Sequence, residues 1–226
     1  MQYLLDTANL DEIKNAFDLY PMDGITTNPS IISKEDTDFF KHLAKIRKLI
    51  GPDAMIHAQV LGETAEIMIQ EAIKLNEKIG GNFYVKVPVT AQGIKAIKAI
   101  VKLNIKVTAT AVFTAQQALM AAKAGASYVA PYVDRSDNIT ANGVGTISDI
   151  VTLFNNYDLK TKVLAASFAN VQQVHNSMLK GTHAVTVNMR IMDRLLYHPL
   201  TDWSVRKFIG DWEDIYGENN NILSEE

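Results

Sequence analysis

The stretch Asn82-Phe83-Tyr84-Val85-Lys86-Val87-Pro88-Val89 decides how the fold and the chemistry are interpreted. Its β-branched and aromatic residues, bounded by glycines before and by Pro88 at its end, predict a short buried strand. Lys86 is unexpected in that strand, because an unpaired buried ammonium is costly. Burial lowers the pKa of a lysine, and the neutral amine can then form an imine with a carbonyl. The alternative is a strand-end lysine that reaches solvent or pairs with a carboxylate.

Seven further short strands are predicted on either side of this one, and helical segments alternate with them. Alternation of strands and helices indicates a parallel sheet, and eight such units predict an α/β fold of the (β/α)8 TIM-barrel type. We expect a single domain, residues 1–226, with a C-terminal helix extending from the barrel. The other strands are predicted at residues 2–6, 24–26, 55–60, 106–112, 127–132, 162–167 and 184–188.

A doubly wound open sheet is the alternative fold. That fold favours a glycine-rich phosphate loop after its first strand. Here the corresponding turn is Asp6-Thr7-Ala8-Asn9, which contains no glycine, so the closed barrel is preferred.

Composition excludes several classes of function. The 226 residues are 47% hydrophobic and 21% charged, which is typical of a globular protein with one sizeable core. The net charge of -3 and the absence of a basic stripe argue against nucleic-acid binding. No apolar run is long enough for a bilayer, so no membrane partner is expected. Without cysteine or an N-terminal signal pattern, the chain is predicted to be cytoplasmic.

Polar residues lie at the predicted carboxyl ends of all eight strands, the end at which such barrels carry their chemistry. Asp6 as a helix-start acid and Asn28 as an Asx turn before proline are the structural alternatives at single positions. It is much less expected that all eight polar residues at one end of a barrel have only structural roles than that they form a functional site. The residues are Asp6, Asn28, Gln59, Lys86, Thr110, Tyr132, Ser167 and Asn188, with Arg135 three positions after Tyr132.

These side chains suit a carbonyl substrate. Lys86 would form the imine, and Asp6 and Asn28 would hold hydroxyl groups or move protons during its formation. Tyr132, with Gln59 and Thr110 around a water, would carry the proton that moves when a carbon–carbon bond breaks.

The phosphate of a substrate would bind near strands seven and eight. Arg135 and Ser167 are the candidates, Arg135 through its fork of donors.

The histidines do not predict a metal site. His57 precedes Gln59 by two residues and therefore faces the barrel interior, where a core histidine is the preferred interpretation over a catalytic one. The other four, His42, His175, His183 and His198, fall on helices or loops and are interpreted as surface or packing residues.

With these residues in hand, the chain resembles the transaldolase family, and most of all its small fructose-6-phosphate aldolase branch. The resemblance covers essentially the whole chain, from Leu5 to Trp212. The motifs that carry it are Gly24-Ile25-Thr26-Thr27-Asn28-Pro29-Ser30, Val85-Lys86-Val87-Pro88, Thr108-Ala109-Thr110-Ala111, Ala130-Pro131-Tyr132-Val133-Asp134-Arg135 and Ala165-Ala166-Ser167-Phe168.

The resemblance implies a barrel whose Schiff-base lysine lies on strand four, which is the position of Lys86. It implies no metal, no organic cofactor, and a ring-built homo-oligomer, a decamer, in which the C-terminal helix reaches a neighbouring subunit. The expected partners are a sugar phosphate and dihydroxyacetone.

Two positions favour the aldolase branch within the family. Members that transfer a dihydroxyacetone unit between sugars typically carry Glu and Phe where this chain has Gln59 and Tyr132. The resemblance therefore implies an aldehyde-lyase that cleaves fructose 6-phosphate to dihydroxyacetone and glyceraldehyde 3-phosphate, with transaldolase as the alternative. A barrel that binds a sugar phosphate without turnover is a third hypothesis.

The chain departs from the family pattern in two places. Ala169 follows Ala-Ser-Phe where the family usually has Lys or Arg, and Asn188 follows strand eight where the family usually has proline. We hypothesise that Arg190 partly replaces the missing cation, against the alternative that it is a helix-start residue facing solvent.

Overall fold

The computed structural model describes residues 1–224. Its eight strands are parallel and form one closed barrel in chain order, with β8 pairing back to β1. This confirms the predicted TIM barrel and excludes the open sheet. The strands are β1 (Gln2–Asp6), β2 (Gly24–Thr26), β3 (Met55–Gln59), β4 (Phe83–Pro88), β5 (Val107–Val112), β6 (Tyr128–Pro131), β7 (Lys162–Ala165) and β8 (Ala184–Val187).

Helices connect the strands, and most begin at a side chain that accepts a backbone N–H, as Thr64, Thr90 and Asn170 do. They are α1 (Leu10–Leu19), α2 (Pro29–Ile32), α3 (Phe39–Ile50), α4 (Ala65–Ile79), α5 (Ala91–Ile100), α6 (Ala115–Lys123), α7 (Asp134–Asp137), α8 (Gly143–Asn156), α9 (Val171–Leu179), α10 (Met189–Leu196) and α11 (Pro199–Tyr216).

Strand β4 shows how alternation places Lys86. Val85 and Val87 are fully buried and lie on the face that packs against the surrounding helices. Tyr84 and Lys86 are therefore on the opposite face, inside the barrel, where Tyr84 packs against the buried cluster formed by Leu4, Met55, Tyr128, Leu164 and Ala184. The same β-branched run that makes the strand thus aims the lysine into the barrel.

Helix α8 corrects one prediction. The sequence Asn142-Gly143-Val144-Gly145 predicts a loop, because it combines two glycines with an asparagine. In the structure the helix begins at Gly143, and Asn142 caps it by accepting the N–H of Gly145. A Cβ on Gly143 would lie 2.5 Å from the carbonyl oxygen of Val133. The glycine is there for close packing and not for a turn, which is why its presence misled the prediction.

The chain divides into two compact units, Met1–Ile191 and the residues from Met192 onward. The first contains the complete barrel, and the assignment of residues 1–226 to one domain stays a prediction. The second contains α11, where Leu200, Trp203 and Phe208 are exposed and Trp212 stacks on Tyr216. Among the described residues, no helix is both long enough and apolar enough to cross a membrane.

Candidate active site

A cavity of about 200 Å³ opens at the carboxyl ends of the barrel strands. Seven of the eight residues predicted for catalysis or substrate binding line it. They are Asp6, Asn28, Lys86, Thr110, Tyr132, Arg135 and Ser167, and Asn188 lies beside them. Strand ends far apart in sequence therefore supply one polar site.

Lys86 lies at the floor of this cavity and is only 6% exposed. Its Nζ donates a hydrogen bond to the carbonyl oxygen of Thr27 at 2.8 Å. Among the described residues its ammonium forms no ion pair with a carboxylate, so neither alternative for a structural lysine describes it. Burial lowers the pKa of Lys86, the charge of Asp6 opposes this, and the charge of Arg135 lowers the pKa further. This is the environment that favours a nucleophilic amine.

Asp6 is held by a short chain of hydroxyl groups. Thr26 donates to Oδ1 of Asp6 at 2.6 Å, and the hydroxyl groups of Thr26 and Thr186 are 2.7 Å apart. Because the single hydroxyl proton of Thr26 goes to Asp6, Thr26 must accept from Thr186. The network fixes one carboxylate oxygen and leaves the other for a substrate or a proton transfer.

Tyr132 follows the last residue of β6 and is positioned on three sides. Its hydroxyl is 3.1 Å from the hydroxyl of Thr110. The edge of its ring meets Phe113, with centroids 5.4 Å apart, and the guanidinium of Arg135 lies 4.7 Å from the ring centroid. These contacts hold the phenol and the guanidinium in the same cavity as Lys86.

Strained backbone occurs at two points of the cavity rim. Ala111, next to Thr110, has a φ of 57°, and the register between β5 and β6 shifts between Ala109 and Val112. Ser167 has a φ of 60° in the segment that follows β7. A positive φ is unfavourable for residues with a Cβ and concentrates at functional sites. One distortion thus lies next to Thr110, and the other lies at Ser167 itself.

Asn28 both caps a helix and lines the cavity. Its Oδ1 accepts the N–H of Ile31 and so caps α2, as the Asx alternative predicted. Because the oxygen is engaged, the two N–H groups of the amide are the part that can bind substrate oxygens. Asn188 repeats this arrangement by accepting the N–H of Ile191.

Gln59 is the one predicted catalytic residue that does not line the cavity. It is in register with Lys86 on the neighbouring strand, but it lines a separate recess together with Phe39, Phe40 and Glu71. Its role in proton transfer stays a prediction.

His57 is a core residue, as predicted. It is fully buried, its Nδ1 lies 2.9 Å from the hydroxyl of Thr108, and its ring stacks on Tyr84 with centroids 4.6 Å apart. Its Nε2 has no partner among the described residues, so its hydrogen bonding is only half satisfied. Burial and the charge of Lys86 hold the pKa of His57 well below its ordinary value, which favours a neutral ring.

Three residues of the site were missed by the sequence reasoning. Thr26 and Thr186 precede Asn28 and Asn188 by two residues, so the period of a strand could have placed them on the interior face. The carbonyl of Thr27, which accepts from Lys86, left no signal because its role is a backbone one.

Of the other histidines, His42 is buried and contacts the Ala8 carbonyl, so it is a packing residue.

The acidic residues and histidines that the structure describes form no group of three or more suited to a metal ion. The chemistry available from the cavity is that of an amine, a carboxylate, a phenol and a guanidinium.

Comparison with known proteins identifies the family. The sequence matches the family described as Transaldolase/Fructose-6-phosphate aldolase over residues 3–221. The chain belongs to this family. A probable transaldolase of Thermoanaerobacter sp. (strain X514) is 43% identical over 212 residues, which cover 94% of this chain and 97% of that protein. A probable transaldolase of Desulfotalea psychrophila is 43% identical over 213 residues, with 94% and 98% covered.

Solved structures support the fold independently of sequence. The structure titled "Native KDPGal structure" superimposes with a TM-score of 0.59 at 14% identity and covers 88% of both chains. At this identity the likeness concerns the barrel alone.

Proposed function

We propose that this protein is a class I aldolase that reversibly cleaves fructose 6-phosphate to dihydroxyacetone and glyceraldehyde 3-phosphate through an imine on Lys86. One observation carries the proposal. A buried amine of lowered pKa and a phenol line the same cavity, and the phenol is hydrogen-bonded to Thr110. The first group can bind the ketose covalently, and the second can return a proton to the carbon fragment that remains.

Imine formation uses Lys86 and Asp6. The neutral amine attacks the C2 carbonyl of the ketose, and loss of water from the carbinolamine gives a protonated imine. The leaving hydroxyl needs a proton, and we assign its transfer to Asp6. The carboxylate first takes the proton that the Lys86 ammonium loses on becoming the neutral amine, and it then gives that proton to the leaving hydroxyl. Thr26 and Thr186 orient that carboxyl group through their hydrogen bonds.

Carbon–carbon cleavage uses Tyr132. The proton leaves the C4 hydroxyl, the C3–C4 bond breaks, and its electron pair forms an enamine on the lysine-bound fragment while glyceraldehyde 3-phosphate departs. The C4 hydroxyl proton passes to a water held by Tyr132 and Thr110. The phenol gives its own proton to C3 of the enamine and recovers one from that water, so the proton lost at C4 is the proton gained at C3. Water then hydrolyses the imine to release dihydroxyacetone and the free amine of Lys86.

We assign the phosphate to the part of the cavity that Arg135 and Ser167 line. Arg190 is a candidate for additional charge there, because its guanidinium donates to the carbonyl of Ala169 at 3.3 Å and is exposed. This contact brings a cation to the residue where the family usually has one. The interpretation of Arg190 as a simple helix-start residue is the alternative.

Transaldolase activity is the second candidate, because relatives of similar length are named probable transaldolases. In that reaction the enamine is kept on Lys86 until an acceptor aldose arrives. The presence of Tyr132 instead of a phenylalanine favours the lyase, since a phenol can protonate the enamine and a phenyl ring cannot.

Product release without an acceptor sugar tests the choice between the two reactions. The protein is incubated with fructose 6-phosphate alone, and free glyceraldehyde 3-phosphate is followed with a coupled dehydrogenase over many turnovers. The aldolase proposal predicts continuous release. One equivalent per subunit, followed by turnover only when erythrose 4-phosphate is added, would select transaldolase.

We also propose a homo-oligomer, a decamer, located in the cytoplasm. The exposed apolar residues of α11, including Leu200, Trp203 and Phe208, support subunit association. Sedimentation of the purified protein tests the assembly, and a monomer at micromolar concentration would contradict it.

A further inference from the structure

The amino ends of the barrel strands carry a group of cations next to two tyrosines, far from the proposed catalytic end. The Nζ of Lys106 lies 5.1 Å from the ring centroid of Tyr84, and the Nζ of Lys162 lies 5.9 Å from that of Tyr128. The two rings meet edge to face with centroids 5.3 Å apart. The two tyrosines therefore form a continuous aromatic floor with an ammonium group over each ring.

A cavity of about 420 Å³ opens over this floor. Tyr84, Tyr128, Ser127 and Lys162 line it, together with Lys160. It shares no lining residue with the cavity of Lys86, and its volume is in the range of small-molecule sites. It is thus a separate concave surface with aromatic, hydroxyl and cationic groups.

Two of the three lysines at this end have no carboxylate partner among the described residues. Within residues 1–224, neither Lys106 nor Lys162 forms an ion pair with a carboxylate, and Lys106 donates only to the amide oxygen of Asn82. Lys160 differs, because it is paired with Asp158 at 2.8 Å. Burial raises the pKa of Tyr128, and the negative charge of Asp23 contributes to this. The Asp23 carboxylate already accepts the N–H of Tyr3.

His183 lies close enough to Lys162 for the charge of that lysine to add to the effect of burial on the pKa of the ring. Its Nδ1 accepts the N–H of Val163, so the ring is fixed at the start of β8. Burial lowers the pKa of His183, and the charges of Lys162 and of the N-terminal ammonium of Met1 lower it further. An anion beside Lys162 would be favoured by this positive charge.

We infer that this cavity binds a small phosphate-bearing anion, with Lys162 as its main charged contact. Lysine is suited to phosphate as a compact point charge, and Ser127 supplies a hydroxyl donor at the wall. The unpaired ammonium of Lys162 lines the cavity, and that of Lys106 lies over the ring of Tyr84 outside its lining, so a ligand with two or more negative charges is favoured. The aromatic floor accommodates the organic part of a phosphorylated metabolite.

Titration calorimetry with pyrophosphate at low ionic strength tests this site on the full chain. Because the proposed catalytic cavity also contains a phosphate-binding arginine, the titration is done in the Arg135→Gln variant as well as in the unmodified protein. Lys162→Gln should weaken the binding that persists in Arg135→Gln by about tenfold. Lys160→Gln is the matched control and should change it by less than about twofold, because Asp158 already neutralises that lysine.

Two results would overturn the inference. Loss of all saturable binding in Arg135→Gln would mean that pyrophosphate binds only in the catalytic cavity. Equal weakening by Lys160→Gln and Lys162→Gln would mean diffuse surface attraction and no built site. Unchanged thermal midpoints of both lysine variants without ligand would show that the folded state is intact in these comparisons.

Discussion

Replacing Tyr132 with phenylalanine removes one oxygen atom from the proposed mechanism and little else. The ring contacts with Phe113 and with the guanidinium of Arg135 do not involve the hydroxyl and should persist. The hydrogen bond to Thr110 is lost, which should reduce the free energy of unfolding by about 0.5–1.5 kcal/mol. The substitution therefore separates proton transfer from the shape of the cavity.

The expected effect on cleavage is much larger than the effect on stability. A positioned general acid or base contributes about 10²- to 10⁴-fold to the rate, or about 3–5 kcal/mol of activation free energy. Cleavage of fructose 6-phosphate by Tyr132→Phe should fall within this range. The enamine would form more slowly but would also be protonated more slowly, so transfer of its three-carbon unit to an added aldose should lose less activity than free cleavage.

The assay measures both reactions on the same preparations. Release of glyceraldehyde 3-phosphate without acceptor reports cleavage, and formation of a new ketose phosphate from erythrose 4-phosphate reports transfer. Tyr157→Phe is a suitable control, because Tyr157 is exposed at the end of α8 and outside the cavity. A fall in cleavage of less than about fivefold in Tyr132→Phe would refute the role assigned to the phenol.

Three further predictions concern phosphate binding, pH and packing. Arg190→Ala should raise KM for phosphorylated acceptors about fivefold and leave KM for unphosphorylated glyceraldehyde unaffected. Equal changes of KM for both acceptors in steady-state kinetics would exclude phosphate binding by Arg190. His57 has a folded-state pKa below its unfolded value, so the unfolded chain binds the extra proton and stability should fall as pH drops below about 6.5, by up to about 1.4 kcal/mol per pH unit. The free energy of unfolding, measured with urea at several pH values, should depend less steeply on pH in His57→Asn than in the unmodified protein. Identical pH dependences would contradict the lowered pKa of His57. Gly143→Ala should cost about 1–3 kcal/mol in urea unfolding, because its Cβ would meet the Val133 backbone; no loss would show that the backbone yields.

The barrel could be predicted because each strand is a short apolar run bounded by turn-forming residues. The β4 stretch has valines on one face and Lys86 on the other, and this alternation survives in the structure. The predicted ends of helices were less accurate where a residue type occurs both in loops and at sites of close packing, as glycine does. Gly143 was interpreted as a loop residue, whereas close packing against Val133 requires it inside a helix.

The candidate site could be predicted where a polar side chain ends a strand, since parallel strands bring their carboxyl ends together. The threonine network around Asp6 was not predicted, because threonine is common in strands for its β-branched shape alone. The acceptor for Lys86 is a backbone carbonyl, which every residue possesses and no sequence pattern marks. The lining of the recess beside Gln59 depends on loop geometry that strand periodicity does not describe.

Trapping with borohydride tests the central claim most directly. The protein is incubated with fructose 6-phosphate without acceptor and reduced, and the intact mass and the modified peptide are then determined, with Lys86→Met as the matched control. We predict a three-carbon adduct on Lys86, which requires both imine formation and carbon–carbon cleavage, and no adduct in the variant. The absence of any adduct with fructose 6-phosphate or with dihydroxyacetone would contradict the account and leave Lys86 a structural lysine.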